Sequence, residues 1–305
     1  MFEWQIDDRR FHIRDVESDA EYHTIEDIQK EAWGFNDLDT VPAATLMATQ
    51  HAGGVVLAAF AGNTMIGFAY GFPAYEAGRA SIHSHMLAVR PAYRNVQAGF
   101  YLKMAQRERV LEKGLDEISW TYDPLQSLNA HLNFAKLGVV SQRYIVDFYG
   151  EATSSPLHQG FGTDRLWVRW LLNTERVKRL ASPDRRLASP GDRDSDVDRS
   201  QLLKSALVRR DGDLPRIQDF SRLSSGLCTI EIPHNINSLK EHDPRAGRAW
   251  REATRGAFLA AIDAGFEVTN FLRAGTADNP RWFYVLTVRD DRDSPEVRHL
   301  PSGHL

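Results

Sequence analysis

The sequence predicts a mixed α/β fold, and three observations carry that prediction. Runs with a two-residue apolar period alternate with runs of helical period through the first 172 residues. Two apolar runs, V-V-L-A-A-F and M-I-G-F-A-Y-G-F-P, flank an A-G-N turn, which is a hairpin signal. The stretch Ser81–Gly114 joins an apolar-biased strand to an amphipathic helix through a short basic loop.

Taken in order, Phe11 to Val16 alternates apolar and polar residues and reads as a half-buried strand. Ala20 to Trp33 places Tyr22, Ile25, Ile28 and Ala32 at helical spacing and stops at Gly34. A second helix spans Ala43 to Gln50, and the hairpin follows. The next strand, Ile82 to Val89, ends at Arg90-Pro91, where proline stops regular pairing. After the loop Ala92 to Val96, the helix sets Phe100, Met104 and Leu111 on one side, with Lys103, Arg107 and Glu108 on the other. Glu117 to Tyr122 reads as a short buried strand. Ser127 caps a helix that stops at Gly138, and R-Y-I-V-D-F-Y-G and R-L-W-V-R-W-L-L read as two further strands.

After Asn173 the composition turns to Asp, Arg, Ser and Pro, the mark of a flexible linker or long loop. Order returns at Leu227 to Ile232. Asp243-Pro244 then caps a helix whose Ala246, Ala249, Trp250, Ala253, Ala257 and Ala261 share a face, and two strands follow. The expected division is 1–175, a linker over 176–205, and a strand-helix-strand-strand region over 206–305, either extending the first sheet or packing as a separate lobe.

Composition excludes several classes. A net charge of −4 over 305 residues lacks the basic footprint of a nucleic-acid binder. The single cysteine, Cys228, lies in an alternating strand and supports neither a disulfide framework nor a cysteine-rich zinc site. No apolar run reaches membrane-spanning length and the N-terminus lacks a signal-peptide core, so a cytoplasmic protein with no nucleic-acid or membrane partner is expected. His83 and His85 make an H-x-H pair without a third ligand nearby, so no metal is expected.

A strand, a basic loop and a helix start form a device for holding phosphate, because the first helical N–H groups lack partners and the dipole favours an anion. Arg94 adds charge there, and Gly99 keeps the first turn free of a Cβ. Val89, Pro91, Tyr93, Arg94 and Gly99 resemble motif A of the GNAT (Gcn5-related) N-acyltransferases, V-x-P-x-Y-R-x-x-G-x-G, with Gln97 where the first glycine is expected. Asn129, Ala130, Lys136, Leu137 and Gly138 resemble motif B of that family, with Phe134 where many members carry a tyrosine acid. The runs W-T-Y-D-P-L-Q-S-x-N-A-H and G-T-D-R-L-W-V-x-W resemble a longer, two-part bacterial branch that includes amino-acid N-succinyltransferases.

The resemblance implies a GNAT fold: a central mixed, mostly antiparallel sheet flanked by helices, here with a smaller C-terminal α+β region. It implies acyl-coenzyme A, acetyl or succinyl, as co-substrate and the amine of a small molecule, an amino acid among the options, as acceptor. The expected coenzyme A contacts are Leu87, Ala88, Val89, Arg94, Asn95, Val96, Gln97, Ala98, Gly99 and Asn129. The candidate proton-handling residues are His83 and His85, which share a strand face at i and i+2, Asp123 at the end of the next strand, and Tyr144. A non-catalytic acyl-coenzyme A sensor is the alternative, and a homodimer is one arrangement open to the chain.

Overall fold

The computed structural model describes residues 2–76, 78–150, 161–182, 199–219, 223, 226–276 and 279–289. Most of the expected linker, 183–198, lies outside the described residues. The strands are β1 (Phe2–Ile6), β2 (Arg9–Asp15), β3 (Val55–Ala61), β4 (Thr64–Glu76), β5 (Arg79–Val89), β6 (Glu117–Tyr122), β7 (Val140–Ile145), β8 (Arg165–Leu171), β9 (Ala206–Asp211), β10 (Leu214–Ile217), β11 (Leu227–Ile232), β12 (Phe266–Gly275) and β13 (Pro280–Val288). The helices are α1 (Asp19–Trp33), α2 (Ala43–His51), α3 (Ala98–Glu112), α4 (Ser127–Ala130), α5 (Glu175–Ala181), α6 (Arg199–Lys204), α7 (Ile236–His242) and α8 (Pro244–Asp263). A 3₁₀ helix, Pro91–Val96, precedes α3, and α4 runs on into a π-helix, His131–Leu137.

Among the described residues, thirteen strands join one sheet in the order β1-β2-β3-β4-β5-β6-β8-β7-β12-β13-β11-β9-β10. Pairing is antiparallel except for β5 with β6 and β9 with β11. The C-terminal strands continue the N-terminal sheet through a single β7–β12 register pair, Ser141 with Val268. The sheet curls strongly, because the hydroxyls of Tyr122 on β6 and Tyr284 on β13 lie 2.8 Å apart although β8, β7 and β12 intervene.

One face carries α3, the π-helix and α8 over a single continuous core. That core runs from Trp4 and Phe11 through Ile82, Leu102 and Trp170 to Trp250, Phe258 and Tyr284. The other face carries α1 and α2 on a second core that includes Tyr22, Ile25, Leu46, Phe68 and Tyr70. α8 earns its burial from the alanine and aromatic stripe seen in the sequence: Ala246, Trp250, Ala253, Ala257, Phe258 and Ala261 are all buried, and Asp243 Oδ1 caps the Arg245 and Ala246 amides.

Two local features shape the middle of the sheet. β5 and β6 pair only at Ile82–Ile118 and His83–Ser119, and beyond those residues they diverge into a V-shaped gap. In the β4–β5 ladder, Tyr70 pairs with Met86 and Gly71 with Ser84, which leaves His85 as the extra residue of a bulge. The bulge resets the alternation. Ile82, Leu87 and Val89 pack on the α3 side, whereas Met86 and Ala88 pack on the α1–α2 side.

Candidate active site

The loop at the C-terminal end of β5 has the form an anion needs. Pro91 opens the 3₁₀ turn, and Gln97 then takes the left-handed conformation, φ 57° and ψ 15°, immediately before α3. Left-handed backbone is the natural place for glycine, so the chain keeps the geometry of a glycine position while carrying a side chain there. The Gln97 carbonyl accepts from the amides of Phe100 and Tyr101. The amides of Ala98 and Gly99 have no backbone partner among the described residues, and they stand at the positive end of a fifteen-residue helix. A Cβ added at Gly99 would meet only Leu87 Cδ2, at 3.5 Å, which is ordinary contact. A methyl group at that position is therefore accommodated beside Leu87.

The expected donor contacts divide by burial. Arg94, Asn95, Gln97 and Asn129 are exposed, with Asn129 on α4 beyond the end of β6. Leu87, Val89 and Gly99 are half-buried. Val96, Ala88 and Ala98 are buried, so their side chains build the loop instead of facing a ligand. Val96 is held by its carbonyl, which accepts from Trp4 Nε1 at 3.0 Å. From Ser84 to Val89, the β6-facing edge of β5 makes no strand ladder, and an extended ligand can run along it.

The two histidines do share a face, and the bulge separates their settings. His83 is 9% exposed; its Nδ1 lies 3.0 Å from Ser119 Oγ and its ring lies against Phe72 and Trp167. Burial, aided by His85 and Lys103, pushes its pKa down to about 4. His85 is exposed at the bulge, with Tyr70 and Phe72 beside it, and the surrounding protein lowers its pKa through desolvation. Both imidazoles are neutral at pH 7, and His85 is the one that solvent and a ligand can reach.

Asp123 is not a free base. It is 6% exposed, and its Oδ1 accepts from Arg251 Nη2 at 2.8 Å and from the Leu125 amide at 3.0 Å. Burial alone would raise its pKa, but Arg251, with help from Lys240, the Leu125 amide and Arg165, holds it below the usual carboxylate range. Tyr144 is not placed to serve as the acid. It lies on β7, with β6 and β8 between it and β5, stacks on Phe258 of α8, and donates its hydroxyl to Asp164 Oδ2 at 2.6 Å. Burial and the Asp164 charge raise its pKa well above the phenol range.

Lys103 departs from the sequence reading. It faces the core, 4% exposed, and its Nζ donates to Ser84 Oγ at 2.7 Å and Gln106 Oε1 at 3.2 Å, and lies 3.7 Å from the centroid of the Trp120 ring. Ser84 and Trp120 are the first residues past the last β5–β6 pair, so this amine stands at the closed end of the V. Burial holds its pKa well below the lysine range. A helical wheel assigns a lysine to solvent by residue type, so no sequence signal pointed to this position. Phe134, in the π-helix, is fully buried against Tyr122 and Tyr284. Tyr284 donates to the Pro124 carbonyl at 2.6 Å, which leaves Tyr122 to donate to Tyr284.

A gap between parallel strands, a bulge on one of them and a helix start with unpartnered amides thus meet at the C-terminal end of β5. Residues 17–139 match the model of the acetyltransferase (GNAT) family. No curated protein matches the chain. Among solved structures, the ribosomal-protein-S18-alanine N-acetyltransferase of Escherichia coli is 14% identical with a TM-score of 0.43, over 54% of this chain and 95% of that one. The putative acetyltransferase yncA of Salmonella typhimurium, with acetyl-CoA, is 17% identical with a TM-score of 0.44, over 54% of this chain and 95% of that one. A GNAT family acetyltransferase of Elizabethkingia anophelis, with acetyl-CoA bound, is 16% identical with a TM-score of 0.41, over 55% of this chain and all of that one. Among the described residues, no group of three or more His, Cys, Asp or Glu is arranged to hold a metal, and no helix is long and apolar enough to cross a membrane.

Proposed function

We propose that the chain moves an acetyl or succinyl group from coenzyme A to the amine of a small molecule of the amino-acid class. The observation that carries this reading is the V between β5 and β6, with a partner-free helix start at its open end and a neutral histidine on the bulge beside it. The pyrophosphate binds the Ala98 and Gly99 amides with Arg94 alongside, and the pantetheine arm runs along the free edge of β5. The acceptor approaches from the face of β5 that carries Phe72, His83 and His85. His85 takes a proton from the ammonium, the amine nitrogen attacks the thioester carbonyl, and as the C–S bond breaks the nitrogen gives up its second proton to water, leaving the amide and the coenzyme A thiolate. That proton reaches the thiolate through water, since Phe134 has none to give.

Phe134 also favours a second reading, a protein that binds acyl-coenzyme A without turning it over. Thiol release from acetyl-coenzyme A and succinyl-coenzyme A, measured against a panel of L-amino acids and simple amines, separates the two. Amine-dependent release supports the transferase. Tight binding without release leaves the sensor, and failure to bind coenzyme A ends both.

A further inference from the structure

The segment Asp123–Ser127 leaves the end of β6 at the open mouth of the gap and leads into α4. Four of its five residues are bonded to the C-terminal half of the chain. Arg251 of α8 donates to Asp123 Oδ1 at 2.8 Å, and Tyr284 of β13 donates to the Pro124 carbonyl at 2.6 Å. Gln126 and Asn237 of α7 exchange amide bonds of 3.0 and 3.4 Å. Ser127 Oγ donates to the His234 carbonyl at 2.5 Å. The residue before the segment, Tyr122, is tied to Tyr284 as well. All of these partners lie beyond residues 17–139, the span of the family match.

These contacts are polar and directional, and those to Arg251 and Tyr284 are buried. A hydrogen-bonded charge pair at 4% and 6% exposure fixes the relative placement of its two elements more tightly than apolar contact would, because any slip strands a charge away from water. The segment has no strand ladder of its own. Beyond the turn bonds that Leu125 and Gln126 make to Asp123, its course is set from outside, by His234, α7, α8 and β13. We infer that the C-terminal half is a positioning element of the reaction site, with Arg251 as the positioning residue that acts through Asp123 to set the mouth of the gap. This rests on the transferase reading above. The donor is held elsewhere, at Ala98–Gly99 and along β5, so losing the brace disturbs the meeting of amine and thioester and leaves donor affinity alone.

The test compares Arg251→Met, Arg251→Lys and the double variant Arg251→Met/Asp123→Asn, which removes both charges together so that no lone carboxylate is left buried. Acetyl-coenzyme A affinity is expected to stay within about threefold of wild type in every folded variant, while Arg251→Met and the double variant lose on the order of tenfold or more in kcat and raise the KM of the amine. Arg251→Lys recovers a large part of the loss, and the Leu125 amide, bonded to Asp123, exchanges its hydrogen at least about tenfold faster in Arg251→Met while α3 amides are unchanged. If Arg251→Met does not fold, the double variant carries the test by its kcat and amine KM. Folded variants with wild-type kcat, amine KM and exchange in residues 124–130 would overturn the inference, since a merely structural contact changes only the folded fraction. Should the wild-type protein show no turnover, the transferase reading has failed, and the exchange pattern of 124–130 alone decides whether the brace exists.

Discussion

Replacing Gln97 by glycine removes a side chain from backbone that glycine adopts without strain. At φ 57° and ψ 15°, a residue with a Cβ sits about 1–2 kcal/mol above its right-handed alternatives. Glycine avoids that cost but loses more backbone entropy on folding, about 0.5–1 kcal/mol relative to alanine. Gln97 is exposed, so little packing is lost with its side chain. The balance favours Gln97→Gly by up to about 1 kcal/mol, which for a chain of this size raises Tm by roughly 1–3 °C. Gln97→Val, with a β-branched side chain in the same conformation, lowers Tm. Scanning calorimetry of the three proteins checks the order, and on the proposed binding through backbone amides, coenzyme A titration gives Gln97→Gly an affinity within about threefold of wild type. A clear fall in Tm for Gln97→Gly, or a rise for Gln97→Val, would refute the assigned backbone geometry.

Three further outcomes follow from the site. His83 is neutral when folded down to about pH 4 but takes a proton near 6.5 when unfolded, so the folded state binds fewer protons between those values. Its contribution of about 3 kcal/mol is present above pH 6.5 and is lost as pH falls toward 4; urea unfolding across that range should show the slope, and His83→Gln should flatten it. His85→Gln should lower kcat on the order of 10² to 10⁴-fold with donor affinity unchanged, and the wild-type rate should rise with pH through one ionisation below 6.5; wild-type turnover in that variant would remove His85 as the base. Phe134→Tyr adds a hydroxyl to a fully buried ring site and should cost about 1–3 kcal/mol of stability, against which an unchanged Tm would count.

Much of the fold was legible because its elements carry strong periodic or punctuating signals. Glu117–Tyr122 and Leu227–Ile232 fall where alternation puts them, and α8 runs from Asp243-Pro244 to Gly265 as its cap and stop require. The edge strands escaped. β1 is five residues with only Trp4 buried, and the β9–β10 hairpin around Asp211-Gly212 mixes arginines into both strands, although its D-G turn was a usable signal. In the site, the helix start and the H-x-H pair were readable from residue type and spacing. The bulge at His85 was not, because one extra residue in a ladder is set by the partner strand's register. Asp123 and Tyr144 looked free because their partners, Arg251 and Asp164, are 128 and 20 residues away. Lys103 was assigned to solvent because nothing in a single helix reveals that its amine ends on Ser84 and Trp120.

At the proposed coenzyme A site on the turn into α3, Gly99 is the position where protein and ligand demands separate. The protein tolerates a Cβ there in ordinary contact with Leu87, whereas an anion seated on the Ala98 and Gly99 amides would be crowded by anything larger. Calorimetric titration of acetyl-coenzyme A into wild type, Gly99→Ala and Gly99→Val, each checked for an unchanged circular dichroism spectrum, makes the measurement. The expected result is retained binding in Gly99→Ala and a loss of at least about tenfold in Gly99→Val, or roughly 1.4 kcal/mol. Equal affinity in a folded Gly99→Val protein would contradict the site.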